Sequence, residues 1–379
     1  MKEMIGQWRA LPEENTGRQK ELDDAKGFLL IAIVLIHAYQ AFGNDLSRES
    51  SFYKVLFGSF MVTGACLYLF SMGFGIAYTK RNTAADLGKN GIRLLFYQLF
   101  SNICYALATV LPFLLWSLTG TVPEGTREIV LLMTKGFLLF FNIFFIAGMI
   151  YLVMALLKSL RTPLWCYLVI GTATSVLSPV FARFTTGARW ADLLLDVTFG
   201  SIGNVSFCFF PYISFVCAGY VMGMVLRKVK DKAAFYRKGS ILTGAILLVA
   251  AVCFFWKYPE LDQRFRWLER EYLIAGFAKF VVSDAAIFLL LSFLYFINPI
   301  LEKWAWLTGK IRYIAKHISK YYAIHIGVYI ACSVFTGYQG AGSLGCLGCF
   351  LVVMPVTDLI VKIYEKLRSQ SCTNPPLSK

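Results

Sequence analysis

Charge is scarce in this sequence. Of its 379 residues only 16% are Asp, Glu, Lys or Arg, against roughly 25% in an ordinary soluble domain. Much of its surface therefore need not face water. Histidine is scarcer still, with three in the chain, so the position of each is informative. The ten cysteines form no framework. Most sit singly in apolar runs (Cys104, Cys208, Cys217, Cys332), as small buried apolar residues do. Cys346 and Cys349 have CxxC spacing without a second pair, so neither a disulfide scaffold nor a metal site is expected. Internal repeats and low-complexity tracts are lacking too, which disfavours a transporter built on inverted repeats.

What is abundant is apolar length. Hydrophobic residues make up 58% of the chain and the mean hydropathy is +0.61. Apolar runs fall near 28–43, 55–79, 94–118, 129–157, 163–182, 205–226, 239–256, 273–298, 320–337 and 344–361. A hydrocarbon layer about 30 Å thick takes about 20 residues per helical crossing, and in lipid a lone segment must satisfy its own backbone, so these runs are helices. The expected fold is all-α: a polytopic transmembrane helical bundle of about ten helices with both termini cytoplasmic. Residues 1–27 are the N-terminal tail, 28–362 the membrane domain and 363–379 the C-terminal tail. Polar residues precede the first run, where a signal peptide would be apolar.

The net charge of +15 could suggest nucleic acid, but its distribution points to topology. With ten crossings and a cytoplasmic start, 26 of the 37 Lys and Arg residues fall inside, while the acidic residues divide evenly. A bias carried by cations alone is the positive-inside pattern. No nucleic-acid partner is expected; the lipid bilayer is. Residues 183–204 and 257–272 carry Trp190, Trp256 and Trp267 among charges and suit the interface. Trp304 and Trp306, followed by Lys310 and Arg312, read as an interfacial helix before the ninth span.

Two of the three histidines lie within apolar runs, where an ionisable residue is a functional candidate by default. His37 follows Lys26 by eleven residues, about 16 Å of helix, so it lies near mid-membrane with Lys26 at the cytoplasmic mouth. Its plainer role would be a neutral inter-helix hydrogen bond. His325 lies five residues after Lys320, and His317 falls in a basic loop and is expected to be solvated. Among other polar residues in the runs, Asn102, Asn142 and Asn204 suit inter-helix bonding, Asp284 an interfacial position, and Asp358 no particular role. Asp23 is expected to cap the first helix, and Tyr321 and Tyr322 to pack or anchor.

The segment Leu22-Asp23-Asp24-Ala25-Lys26-Gly27, leading to His37, resembles the opening of the acyltransferase-3 family of membrane acyltransferases, where Leu-Asp-x-x-Arg-Gly begins the first helix and an Arg or Lys precedes a His with ten residues between. Leu67-Tyr68-Leu69-Phe70-Ser71-Met72-Gly73-Phe74 resembles the family's aromatic-Ser-Gly-Phe run. Ser319 to His325 resembles its late Ser-x-Tyr-x-x-x-His stretch. The family's arginine pair after the second span is matched by Arg93, with Lys89 one residue off register in its partner's place. Heparan-glucosaminide N-acetyltransferase shares similar first-helix features.

The resemblance implies transfer of an acyl group, usually acetyl, from cytoplasmic acyl-CoA to a hydroxyl of a cell-envelope glycan or other extracytoplasmic acceptor, at a bacterial inner or plasma membrane. His37 and His325 would be the catalytic residues, and Lys26, Lys89 and Arg93 would hold the donor's phosphates. A hydroxyl attacking a thioester needs a base with a pKa near operating pH, which histidine supplies. A covalent acyl-histidine is the other route. The rival from another class is a transporter or flippase using His37 and His325 as proton or substrate sites. A third reading is a membrane anchor or sensor module.

Overall fold

The computed structural model describes residues 11–118, 120, 126–138, 140–200, 207–270, 276–336 and 340–373, and their regular elements are helices. In chain order these are α1 (Lys20–Phe42), α2 (Asp45–Arg48), α3 (Ser51–Tyr78), α4 (Ala84–Leu118), α5 (Thr126–Leu138), α6 (Ile143–Ser159), α7 (Leu164–Phe181), α8 (Arg189–Phe199), α9 (Phe209–Leu226), α10 (Lys232–Lys257), α11 (Leu261–Arg270), α12 (Phe277–Leu301), α13 (Ala305–Lys316), α14 (Ile318–Thr336) and α15 (Ser343–Thr373). Among the described residues nine segments are long and apolar enough to cross a membrane: α1, α3, α4, the α5–α6 stretch, α7, α9, α10, α12 and α15. The chain is an all-α, multi-pass membrane protein. The ninth expected run, 320–337, falls on α14, and its last residue lies outside the described residues, as does Asn204.

Several helices outrun the apolar runs that announced them. α1 begins at Lys20, α4 at Ala84 and α10 at Lys232, while α15 continues to Thr373, into the expected C-terminal tail. Hydropathy marks only the stretch that hydrocarbon covers, whereas backbone hydrogen bonding propagates outward once a helix is nucleated. Asp23 is therefore inside the first turn of α1 and not its cap. Its N–H donates to the Gln19 carbonyl and its carboxylate pairs with Arg18 at 2.5 Å, a position that favours an anion at the helix start.

The run expected as one span over 129–157 is two helices. Between α5 and α6 the backbone leaves the helix, and the freed groups find side chains. The Asn102 amide donates to the carbonyls of Leu138 at 3.3 Å and Phe140 at 2.9 Å. The Asn142 carboxamide oxygen caps α6 by accepting from the Phe144 N–H, and Gln98 accepts from the Asn142 N–H. A break at this depth is tolerated only where its polar groups are satisfied within the protein. Asn102→Ala orphans two carbonyls and should lower stability by about 1–2 kcal/mol, read as a drop in the unfolding midpoint in detergent. An unchanged midpoint would show that the break is held by other contacts.

The chain divides into two compact units. The first comprises Met1–Ala25, Gly58–Gln98 and Phe141–Lys303, the second Lys26–Phe57, Leu99–Phe140 and Trp304–Lys379. In the first, α9 is the hub, packed on α6, α7, α8 and α12, with α10 on α12. Against α9 runs α3, at backbone contact: a Cβ built on Gly73 would lie 1.9 Å from the Val216 carbonyl oxygen, and one on Gly219 2.0 Å from that of Phe70. Small residues at such crossings let helices meet without lipid between them.

In the second unit, α14 packs on α13 and α15. The amphipathic α13 buries Thr308, Ile311, Ile314 and Ala315 and leaves Trp304 and Trp306 exposed, as an interfacial helix would. It crosses α1 at Gly27, where a Cβ would meet the Ile311 carbonyl oxygen at 2.5 Å. The glycine that follows Lys26 is thus required by the approach of α13.

Candidate functional site

His37 and His325 come together. They lie on α1 and α14 within the second unit, their ring centroids 5.4 Å apart and the planes inclined by 37°. Two contacts lock these helices at this level. The Tyr329 hydroxyl donates to the Val34 carbonyl at 2.7 Å, and the Phe42 and Tyr329 rings lie 5.6 Å apart. Beyond the C-terminal end of α1, the Asn44 N–H donates to the Ala341 carbonyl and the Ala341 N–H to that of Phe42.

The hydrogen bonds fix the chemistry of both rings. His325 Nδ1 is 2.8 Å from the Tyr321 carbonyl oxygen. A carbonyl only accepts, so Nδ1 carries the proton and Nε2 keeps its lone pair. That Nε2 is buried without a hydrogen-bond partner among the described residues. His37 Nδ1 is 2.9 Å from the Gln40 amide oxygen, again an acceptor, so its Nε2 is likewise the basic position. The two imidazoles stand side by side with both Nδ1 atoms committed, so that in the neutral rings both Nε2 atoms are the accepting positions. Such a pair lacks a proton donor, and a buried acceptor left unmatched carries a free-energy cost unless something fills it. Gln40 and Tyr329 escaped sequence reading. The i, i+3 spacing of Gln40 from His37 was its only signal.

The donor-site candidates are divided. Lys26 is half-buried, three turns below His37 on α1. Lys89 and Arg93 lie on α4 in the other unit, four residues apart and so on one face. Both are exposed, and an Arg93 Nη donates to Asn90 Oδ1 at 3.0 Å. They are helical, where a loop or helix start was expected.

Below His325 the polar groups are tied down. The Tyr321 hydroxyl donates to Asp358, which also binds Lys310 and, at 2.9 Å, Lys362. Tyr322 and His325 meet edge to face, centroids 5.7 Å apart and planes inclined by 71°. His317 is not solvated as expected. It is buried at the end of α13, its ring tilted against that of Tyr313 with centroids 4.7 Å apart, and its Nδ1 is 3.9 Å from Glu365. Burial first, and then the Lys320 cation, hold its pKa below the ordinary imidazole value.

In the first unit, Lys279, one of the eleven Lys and Arg residues that ten crossings place outside, is 2% exposed. Its Nζ donates to the Tyr212 hydroxyl at 3.2 Å and sits 4.4 Å from the centre of that ring. Asp284, expected at the interface, has a buried Oδ1 without a hydrogen-bond partner among the described residues. Hydropathy averages over such single residues. No protein-family model, curated protein or solved structure matches this chain.

Proposed function

We propose that this protein is a membrane O-acyltransferase that moves an acyl group, acetyl by the resemblance of its motifs, from cytoplasmic acyl-CoA to a hydroxyl on a cell-envelope glycan or another extracytoplasmic acceptor. The observation that carries the reading is the His37–His325 pair: two imidazoles 5.4 Å apart on apolar helices, each held through Nδ1, with the buried Nε2 of His325 without a hydrogen-bond partner among the described residues. An acceptor hydroxyl is a proton donor of the kind this pair lacks. His37 Nε2 takes the hydroxyl proton as the oxygen attacks the thioester carbonyl. The carbon–sulfur bond breaks, the acyl ester forms, and the proton passes from His37 to the departing thiolate. His325, fixed by the Tyr321 carbonyl, supplies the second acceptor beside it. Lys26, Lys89 and Arg93 are assigned to the donor's phosphates through charge-assisted hydrogen bonds.

Ten crossings with both termini inside fit this scheme, since 26 of the 37 basic residues then face the compartment that holds acyl-CoA. The setting is the plasma membrane of a bacterium. Everted membranes containing the protein, fed acetyl-CoA labelled in the acetyl group, should pass base-labile label to a lipid, glycan or wall fraction. Membranes that neither transfer label, hydrolyse acetyl-CoA nor bind it would refute the reading. The rival would then lead, a transporter with His37 and His325 as proton sites. The buried Lys279 favours that rival, as an intramembrane ionisable residue of the kind found on ion paths.

A further inference from the structure

A groove of about 430 Å³ opens in the first unit, where the start of α1 meets the start of α10 and the end of α12. That is within the range of small-molecule sites, roughly 300–1,000 Å³. Its wall carries three cations, Arg18, Lys20 and Lys232, one acid, Glu21, and the ring of Tyr295 beside Asn298. The acid is already answered. Lys232 Nζ stands 2.7 Å from the Glu21 carboxylate, and the Tyr236 hydroxyl donates to it at 2.9 Å. The same ammonium lies 5.0 Å from the centre of the Tyr295 ring. Asn298 donates to Asp24 at 3.2 Å, which fixes the end of α12 against α1.

The other two cations are differently placed. The Arg18 and Lys20 side chains are 60% and 53% exposed, each with an acid 2.5 Å away: the buried Asp23 for Arg18 and the exposed Glu302 for Lys20. The Lys20–Glu302 pair is exposed at both ends and exchanges partners at little cost; Arg18 is held through Nε by the buried Asp23, and its mostly exposed side chain can meet an incoming anion without leaving that partner. The groove thus offers two exposed cations and a third fixed over the ring of Tyr295, which packs against Tyr236 at 5.0 Å and lines the groove. It suits a ligand with clustered phosphates and a planar ring, because aromatic faces accept nucleobases by stacking and cations accept phosphate by charge-assisted bonds. The groove also lies at the helix ends that the charge bias assigns to the cytoplasm.

We propose that this groove holds the nucleotide end of the acyl donor, an adenosine 3′,5′-bisphosphate group, with Arg18 and Lys20 on the 3′-phosphate, apart from the pyrophosphate assigned above to Lys26, Lys89 and Arg93, and Tyr295 against the base. The choice of donor rests on the acyltransferase reading; the groove's fit to a phosphorylated nucleotide does not.

The test uses the full-length protein in nanodiscs of neutral lipid, titrated with adenosine 3′,5′-bisphosphate. The double variant Arg18→Ala/Lys20→Ala should weaken binding about tenfold or more, and Lys20→Arg should retain it. In the transfer assay the double variant should raise KM for acetyl-CoA by a similar factor with kcat unchanged, the mark of lost uniform binding. It should leave KM for phosphate-free acetyl-pantetheine unchanged. Should the double variant fail to fold, Tyr295→Leu reads the same site: nucleotide binding should fall while inorganic pyrophosphate binding holds.

Nucleotide affinity indifferent to these substitutions overturns the proposal. So does a protein that ignores the nucleotide in neutral discs but retains phosphatidylglycerol through Arg18 and Lys20, which would make the groove a lipid-headgroup site. Label transfer with KM unchanged in the double variant defeats the groove alone. Nucleotide binding that responds to the variant, in a protein that transfers no label, defeats the acyltransferase reading and leaves a nucleotide site.

Discussion

His37→Ala should lower acyl transfer by about 10²- to 10⁴-fold, the usual contribution of a positioned general base. The measurement is the initial rate of label transfer from acetyl-CoA in everted membranes, at matched protein levels. The expectation rests on geometry and not on the histidine alone. The ring is oriented through Nδ1 by Gln40 and lies beside the imidazole of His325. Alanine keeps the helix and removes the proton acceptor, so donor binding and protein yield should survive while the rate collapses. If the variant retains more than about a tenth of the rate, proton abstraction is done elsewhere and His325 becomes the first suspect. If rate and yield fall together, His37 is a packing residue in the α1–α14 contact.

The largest stability effect should come from one methyl group. Gly73→Ala places a Cβ 1.9 Å from the Val216 carbonyl oxygen and 2.8 Å from its carbon. No rotamer relieves this, because both partners are backbone of packed helices, so α3 and α9 must separate. Overpacking that side chains can absorb costs about 1–3 kcal/mol; a forced helix separation should exceed that and deplete folded protein. Gly75, two residues on along the same helix, has nothing within 4 Å of its virtual Cβ. Gly75→Ala should be neutral or stabilising by up to about 1 kcal/mol, since alanine is the better helix former. Thermal unfolding in detergent, followed by fluorescence-detected gel filtration, compares the two directly. Equal midpoints would mean that the α3–α9 crossing is looser than the backbone distances imply.

The frame of this protein was legible in one dimension because its cause is one-dimensional. A hydrocarbon layer demands long apolar helices and admits little else, so runs of sufficient length announce themselves, and cation bias supplies a topology. The pairing of Lys26 and His37 on one helix follows from the fixed rise per residue. The interfacial character of α13 was equally readable, from tryptophans and cations around a short apolar stripe.

Other features depended on which helices meet. That His325 faces His37 cannot be read from either helix, since each presents its histidine to whatever neighbour the fold supplies. The break between α5 and α6 was hidden because hydropathy continues across it, and its carbonyls are satisfied by Asn102, some forty residues earlier in the chain. The burial of Lys279 was hidden because a cation near a helix end looks the same in sequence whether it reaches water or turns inward to Tyr212. The groove near Glu21 gathers residues from three helix ends, separated by more than two hundred positions. The sequence by itself determined that the chain is a multi-pass helical membrane protein and which chemical groups its apolar runs carry, because the solvent acts on each segment separately. Only the tertiary structure decided which of those groups share a site, because that depends on helix-to-helix packing, and packing is set by contacts between segments.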